Sequence, residues 1–217
     1  MMKNVFKDNK AFLIPYLSII LILTFVLFKF DKINIHIFIN QQHSEFFDFF
    51  FKYWTWLGDG IFAVIFVIFL LFVKYRFAII SGISLILTGL TVQLLKHTVF
   101  SGNLRPELFF KIHYQGSYKL HTVTGAEPSH FFSFPSGHTA AAFALFFSAA
   151  LFVKNKNVKF LFLIFALLVG YSRIYLSWHF LSDAVAGSLT GMIITLVTYL
   201  FINRYTNNFF EKSLLKK

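Results

Sequence analysis

Six uncharged apolar runs recur along the chain, and a charged residue follows each of them within two positions. The runs cover residues 11–28, 61–73, 77–95, 139–153, 160–171 and 184–202. A helix needs roughly 20 residues to cross a hydrocarbon layer of ~30 Å, so the first, third and sixth runs nearly suffice alone. The other three must borrow flanking residues, and the flanks of the fourth and fifth contain His138 and Arg173. The pattern predicts an all-α integral membrane protein, a bundle of six transmembrane helices with a polar site at membrane depth.

The composition supports a membrane protein over a soluble one. Of the 217 residues, 57% are hydrophobic and 13% charged, and Phe alone occurs 33 times. Globular domains have about 45–50% apolar and about 25% charged residues. A core formed by a chain of this length cannot hide so much apolar surface from water, whereas a bilayer can. The composition therefore argues against a cytosolic enzyme, a disordered regulator and a nucleic-acid-binding domain.

The basic residues indicate how the helices are oriented. The net charge is +11, and twelve of the 20 Lys and Arg residues lie in four of the connecting and terminal segments. These segments are 1–10, 74–76, 154–159 and 203–217. Because basic loops stay on the cytoplasmic side, both termini are predicted inside, with a long outer loop (96–138) between the third and fourth helices. The positive charge is therefore explained by the orientation of the helices in a membrane, and no nucleic-acid partner is expected. Without a linker or repeat, residues 1–217 are predicted to form a single domain.

The fourth apolar run is preceded by Phe134-Pro135-Ser136-Gly137-His138. Ser136 can cap the helix, and Gly137 lets the backbone approach a ligand closely. The free N–H groups and the positive end of the helix dipole can bind an anion, beside which His138 would stand. The alternative is an ordinary capped helix start with a His at the membrane interface.

A second group of polar residues separates the fifth and sixth runs. Ser172-Arg173 is followed by His179 and, four residues later, by Asp183. Residues four apart share one helix face, so Asp183 can accept a hydrogen bond from one ring nitrogen of His179, which fixes the tautomer and leaves the other nitrogen nucleophilic. A carboxylate inside an apolar span is costly unless it is paired, which marks Asp183 as functional. The alternative is a structural pair that joins two helices.

Two more cations follow the third run. Lys96 ends it, and Arg105-Pro106 comes shortly afterwards. The planar fork of an Arg suits a phosphate bidentately, and a Lys supplies a point charge. The alternative is a Lys that reaches the membrane surface and a solvated Arg. Asp59, in Leu57-Gly58-Asp59-Gly60, is expected to cap the second transmembrane helix, a reading favoured over a substrate contact.

Under the predicted topology, several of these side chains meet at the outer ends of the third to sixth helices. They are Lys96, Arg105, His138, Arg173 and His179. The cations can neutralise the oxygens of a transferring phosphoryl group, while one imidazole attacks and the other protonates the leaving oxygen. The sequence shows no carboxylate cluster for Mg²⁺, and it contains no Cys. We therefore predict metal-independent phosphoryl transfer through a phosphohistidine, without a cofactor.

These residues resemble the type-2 phosphatidic acid phosphatase superfamily. The family pattern is Lys, six residues and Arg-Pro, then Pro-Ser-Gly-His, then Ser-Arg, five residues, His, three residues and Asp. The second and third parts match fully as Pro135-Ser136-Gly137-His138 and as Ser172-Arg173, His179 and Asp183. The first part departs from the pattern, because eight residues separate Lys96 from Arg105-Pro106. The motif region spans residues 96–183.

The resemblance implies a role for each matching residue. It makes His179 the nucleophile, Asp183 the residue that orients it and His138 the general acid. The remaining matches would hold the phosphate: Lys96, Arg105, Ser136, Gly137 and Arg173. The resemblance also implies metal independence.

The leading functional hypothesis is a membrane lipid phosphatase that removes a phosphate monoester or cleaves a pyrophosphate at the outer face. Expected substrates are phosphatidic acid, phosphatidylglycerophosphate, undecaprenyl pyrophosphate and lipid A. Two alternatives stay open: a lipid phosphotransferase that uses the same site, and a transporter that binds a lipid phosphate without cleaving it. The expected location is a bacterial inner membrane with the site facing the periplasm or exterior. The sequence leaves the oligomeric state open.

Overall fold

The computed structural model describes residues 2–114, 118–123, 130–205 and 207–215, apart from the side chain of Lys3. Within these residues there are eleven α-helices, one 3₁₀ turn and no β-strand. The helices are α1 (Met2–Asp8), α2 (Lys10–Lys29), α3 (Lys32–Asn40), α4 (Glu45–Trp54), α5 (Gly60–Val73), α6 (Tyr75–Thr98), α7 (Pro106–His113), α8 (Gly137–Phe152), α9 (Lys156–Tyr175), α10 (Leu181–Ile202) and α11 (Asn208–Glu211), with the 3₁₀ turn Thr55–Gly58 before α5. The predicted all-α class is confirmed.

Each of the six apolar runs coincides with a helix: α2, α5, α6, α8, α9 and α10. Among the described helices, α2, α6, α9 and α10 are long and apolar enough to cross a membrane. The segments Glu45–Gly58 and Gly60–Val73 meet at a bend of 53° and make a fifth candidate if they form one span. The chain is thus an integral membrane protein with four or five candidate spans, and the count of six remains a prediction.

Helix α8 has only 16 residues because it is the central helix of the bundle. Every residue from Ala142 to Ala150 is buried. Helix α10 packs so closely against it that a Cβ on Gly187 would lie 2.4 Å from the Ser136 carbonyl oxygen, and one on Gly191 would lie 2.2 Å from that of Ala140. A helix covered by protein on its sides does not have to match the bilayer by itself, which explains a length below that of a usual span.

The connection between the first two apolar runs contains two short helices, α3 and α4. Asp31 caps α3 by accepting a hydrogen bond from the N–H of Ile33, and Ser44 caps α4 through the N–H of Phe47. The connection between α6 and α8 likewise contains α7, which starts at Pro106. These helices are too short to cross a membrane, so a search for long apolar runs does not detect them.

Helix direction explains where the functional residues collect. Because consecutive helices of the bundle reverse direction, α6 and α9 end where α8 and α10 begin. The backbone N–H of Ser136, just before α8, donates to the carbonyl of Asp183 in the first turn of α10, at 2.9 Å. The four helix ends therefore form one surface of the bundle, which carries the site described below.

Candidate active site

His179 and Asp183 form a buried pair at the start of α10. The His179 Nδ1 lies 3.4 Å from the Asp183 Oδ2, and the two side chains are only 2% and 5% exposed. That separation is longer than in a well-formed hydrogen bond. The same Oδ2 accepts from the Ser133 hydroxyl at 2.5 Å and from the Phe180 N–H at 3.0 Å. The carboxylate is therefore fixed in place beside the imidazole.

The turn between α9 and α10 holds the backbone of His179. The His179 N–H donates to the carbonyl of Arg173 at 3.0 Å, and Ser177 has a positive φ of 57°, a strained backbone for a residue other than glycine. The Ser177 hydroxyl is contacted by the His36 Nε2 at 3.2 Å and by the Asn40 Nδ2 at 3.1 Å. Helix α3 thus braces the turn that carries His179.

Burial also sets the charge state of the His179 ring. It lowers the pKa of His179, and the neighbouring Asp183 carboxylate opposes that shift only in part. The ring is therefore neutral at physiological pH. A neutral imidazole with Nδ1–H directed at a carboxylate keeps a lone pair on Nε2, which is what a nucleophile requires.

Arg173 is the most deeply placed cation of the site. Its side chain is 2% exposed, its Nη1 donates to the Thr55 hydroxyl at 2.7 Å, and its guanidinium stacks on the Trp178 ring at 4.0 Å. Among the described residues, its Nε has no hydrogen-bond partner and no carboxylate forms a salt bridge with it. A buried charge without a counter-ion is costly, so this guanidinium is suited to an anionic ligand.

Lys96 and Arg105 join Arg173 at this end of the bundle. Lys96 is 8% exposed near the end of α6, and the charges of Arg105, Arg173 and Asp183 all act on it. Arg105 precedes α7 and is held by its backbone N–H, which donates to the carbonyl of His130 at 3.0 Å. The two extra residues between Lys96 and Arg105 thus do not separate the two cations.

The predicted cap at the start of α8 is wrong in one respect. Ser136 occupies the capping position, but its side chain makes no capping hydrogen bond. Its hydroxyl oxygen instead accepts from the Thr139 hydroxyl at 2.9 Å, which explains why it is not used as a cap. A Cβ on Gly137 would meet only the Val92 side chain, at 3.7 Å. The start of α8 therefore has no side-chain cap and keeps space at Gly137, as an anion site needs.

His138 faces the same site from the second residue of α8. Its Nε2 lies 3.7 Å from the Asp59 Oδ2, with the side chains 34% and 42% exposed. The charges of Arg173, Arg105 and Lys96 act on its ring. All the residues that the sequence singled out thus meet in one place.

Sequence reasoning missed several residues that support the site. It did not identify Thr55, which holds Arg173, or Ser133, which holds Asp183. Asp59 caps α5 as predicted, through a hydrogen bond from the N–H of Ile61 at 2.8 Å, but it also faces His138. The Thr55–Asp59 turn directly precedes an apolar run. The polar side chains of Thr55 and Asp59 were the one signal in the sequence that this turn could contact the site. No group of three His, Asp or Glu side chains in the described ranges could hold a metal ion.

The site can be compared with known proteins. The family model of the PAP2 superfamily matches residues 77–207, which include both histidine-containing motifs and all three cations. The chain belongs to the PAP2 superfamily. The resemblance drawn from the sequence motifs is thus confirmed.

Relatives with sequence similarity to the chain come from plants and bacteria. The chain is 29% identical over 146 residues to probable lipid phosphate phosphatase 4 of Arabidopsis thaliana, covering 57% of this chain and 47% of that protein. It is 31% identical over 121 residues to lipid A 1-phosphatase of Rhizobium johnstonii, covering 56% and 46%. The chain thus spans about half the length of these curated relatives.

The PAP2 fold also matches a solved structure. The crystal structure of Aquifex aeolicus LpxE superposes with a TM-score of 0.67 at 25% identity, covering 79% of this chain and 94% of that one. The match is consistent with the helical bundle described above.

Proposed function

We propose that this PAP2 superfamily member is a lipid phosphatase that hydrolyses a phosphate monoester or a pyrophosphate through a phosphohistidine. One observation carries the proposal: Lys96, Arg105 and Arg173 converge on two imidazoles at one end of the bundle. Three cations suit a phosphoryl group, whose oxygens carry the charge in the transition state. The names of the relatives agree, since they act on lipid phosphates.

The first chemical step forms the covalent intermediate. The Nε2 lone pair of His179 attacks phosphorus, and the bond from phosphorus to the lipid oxygen breaks. His138, as imidazolium, gives its proton to that oxygen, so that the lipid leaves as an alcohol or, from a pyrophosphate, as a lipid phosphate. Asp183 stabilises the charge that develops on the His179 ring.

The second step releases phosphate. The neutral His138 takes a proton from water, the water oxygen attacks phosphorus, and the bond from phosphorus to the His179 Nε2 breaks. Inorganic phosphate leaves, and both imidazoles return to their starting states. The same cations hold the phosphoryl oxygens in both steps, and no metal ion or cofactor is required by this scheme.

The proposal includes a membrane setting. Residues 1–217 form one domain of six spans with both termini inside, and the site faces the outer side of a bacterial inner membrane. The balance of basic residues and the collection of the site residues at one end of the bundle support this arrangement. The substrate is a phospholipid, polyprenyl or lipid A phosphate, which the surrounding bilayer presents to the site.

The function is tested by phosphate release in detergent. The wild type should release phosphate from at least one of phosphatidic acid, phosphatidylglycerophosphate, undecaprenyl pyrophosphate and lipid A, with or without chelator. His179→Ala should lose that activity, while His113→Ala, an exposed His of α7, should keep it. Unchanged release by His179→Ala would contradict the mechanism. Label transferred to a second lipid would favour a phosphotransferase, and binding without turnover a transporter.

The topology is tested separately by labelling with a membrane-impermeant maleimide. Because the chain has no Cys, single variants report one position each. Lys119→Cys, in the outer loop, should react in intact cells. Lys154→Cys, between α8 and α9, should react only after lysis. The reverse pattern would contradict the proposed orientation.

A further inference from the structure

We propose that Asp59 is a positioning residue that keeps His138 protonated for the departure of the leaving group. The inference rests on the proposed function, and it adds a carboxylate that lies outside the three motifs of the family pattern. By this proposal each of the two imidazoles has a carboxylate of its own, Asp183 beside His179 and Asp59 beside His138.

The two carboxylate oxygens of Asp59 do different things. Its Oδ1 accepts the hydrogen bond from the Ile61 N–H, which caps α5. Its Oδ2 faces the His138 Nε2 at 3.7 Å. The cap thus fixes the side chain while the second oxygen is directed at the ring. At this distance the contact acts through charge rather than through a formed hydrogen bond, so it does not commit one ring nitrogen.

Close packing holds the Asp59 turn against α8. A Cβ added to Gly58 would lie 2.7 Å from the carbonyl oxygen of His138 and 2.7 Å from the Val169 side chain. Real Cβ atoms do not come so near, so only glycine allows this approach without a shift. In the same turn, Thr55 holds Arg173. The turn therefore contacts both the proton donor and the deepest cation, and its position relative to them is fixed.

The charges around His138 explain why a carboxylate is needed there. Lys96 on α6, Arg105 before α7 and Arg173 on α9 face it with positive charge. Each favours the neutral ring, and a neutral ring cannot protonate a leaving oxygen. Among the described residues, Asp59 is the carboxylate within salt-bridge distance of this ring. A carboxylate beside the ring favours the imidazolium and so offsets part of the cationic surroundings.

The balance of the proton follows from this assignment. The imidazolium of His138 transfers one proton to the lipid oxygen as the bond to phosphorus breaks. It then takes one proton from the water that hydrolyses the phosphohistidine. Asp59 remains ionised throughout and neither gives nor takes a proton. It acts only on the fraction of His138 that carries one.

The first test compares two leaving groups. Asp59→Asn removes the charge but keeps a residue that caps helices well. It should lower turnover of an alkyl lipid phosphate about tenfold to hundredfold, because that oxygen must be protonated as it leaves. It should change turnover of p-nitrophenyl phosphate less than threefold, because p-nitrophenolate leaves without a proton. Equal losses on both substrates would mean a merely structural role and would overturn the proposal.

A matched control separates the cap from the charge. Asp31→Asn alters an equivalent cap, on α3, where the carboxylate accepts from the Ile33 N–H at 2.8 Å. It should leave the ratio between the two substrates unchanged. Asp59→Glu restores the charge and should recover most of the alkyl activity, even though Glu is a poorer cap. In a His138→Ala background, Asp59→Asn should have no further effect on the alkyl substrate, because Asp59 acts through that ring.

The second test is the pH profile. His138 must be protonated for the first step, so turnover of the alkyl substrate falls on the alkaline side as the ring loses its proton. Removing the neighbouring negative charge makes the imidazolium lose its proton at lower pH. The alkaline limb should therefore move about one unit lower in Asp59→Asn and return in Asp59→Glu. A limb that stays in place would contradict the proposal.

A third measurement does not require activity. NMR of ¹⁵N-labelled histidine, with the His138 signal assigned from His138→Gln, follows protonation of this ring directly. The titration should move to lower pH in Asp59→Asn, and an unchanged midpoint would overturn the inference. If the titration moves but the wild type releases no phosphate, the proposed function fails while the electrostatic coupling stands, so the two failures can be told apart.

Discussion

The two imidazoles of the site differ in how the protein surrounds them. His179 and its carboxylate partner are 2% and 5% exposed, whereas His138 and Asp59 are 34% and 42% exposed. In the proposed reaction the buried ring of His179 attacks phosphorus, and the more exposed ring of His138 exchanges protons with the leaving group and with water. The difference teaches that a nucleophile benefits from a fixed, dry setting, while a group that must lose and regain a proton needs contact with solvent.

The partners of the two rings also come from different distances along the chain. Asp183 lies four residues after His179, at the start of the same helix, and Ser133 and Phe180 hold it. Asp59 lies 79 residues before His138, just ahead of α5, and it is held in position because it caps that helix. The His179–Asp183 pair therefore forms at the start of one helix, whereas the His138–Asp59 pair depends on the packing of α8 against the turn before α5.

The largest effect that separates the two pairs is expected from their carboxylates. Asp183→Asn should lower kcat about 10³- to 10⁴-fold, as loss of the orienting carboxylate does in a serine protease triad, with little change in KM. Asp59→Asn should cost much less, because it affects only the protonated fraction of His138. Steady-state phosphate release and thermal melting of both variants check this. Equal losses of kcat in the two variants would contradict the distinction between the buried His179–Asp183 pair and the more exposed His138–Asp59 pair.

The role of the more exposed imidazole, His138, should be visible in the amount of phosphohistidine intermediate that accumulates. His138→Ala should lower turnover of alkyl lipid phosphates about 10²- to 10³-fold, because no group protonates the leaving oxygen. With p-nitrophenyl phosphate labelled with ³²P, the protein should accumulate an acid-labile label, because the water that releases phosphate also lacks its base. His179→Ala should not be labelled. Absence of label in His138→Ala would argue against His138 acting in both steps.

Two glycines near the start of α8 should separate ligand binding from packing. Gly137→Ala places a Cβ at an ordinary 3.7 Å from Val92, so stability should hardly change. It should weaken competitive inhibition by inorganic phosphate about tenfold, a change of about 1.4 kcal/mol, if the backbone approaches the anion there. Gly187→Ala places a Cβ 2.4 Å from the Ser136 carbonyl and should cost about 1–3 kcal/mol of stability. Melting temperatures and phosphate inhibition distinguish the two; similar stability losses would contradict this reading.

The last effect is on stability rather than on activity, and it concerns the support behind the buried pair. Burial lowers the pKa of His36 on α3 to about 4, although the Asp183 charge opposes this. The unfolded chain therefore binds more protons between about pH 6.5 and 4, and stability should fall as the pH drops through this window, by about 1.4 kcal/mol per unit at most. His36→Gln should flatten that slope in melts measured across the window. A slope that persists in this variant would assign it to other groups.

Much of the site was predictable because its residues lie in short motifs. The four-residue spacing of His179 and Asp183 places them on one helix face whatever the rest of the chain does. The alternation of basic and apolar segments also placed Lys96, Arg173 and His138 at the same end of the bundle. The four longest apolar helices were likewise predictable, because a run of about 20 apolar residues is typical of a membrane-spanning helix.

The rest depended on contacts that no spacing encodes. The hydrogen bond from Arg173 to Thr55 and the approach of Asp59 to His138 join residues far apart in the chain. The capping role of Asp59 was visible because a cap is local, but the ring opposite it was not. The short helices α3, α4 and α7 were missed for a related reason: their stability comes from packing on the bundle, which a search for membrane spans does not register.

The buried guanidinium of Arg173 has a practical consequence for handling the protein. Because no carboxylate in the described part of the chain neutralises it directly, any tetrahedral oxyanion that binds there relieves an electrostatic cost of the fold. Phosphate, vanadate or tungstate should then act as stabilising additives, worth about 2.7 kcal/mol at a hundred times the dissociation constant. A melting screen over such anions would locate purification conditions before any lipid is identified.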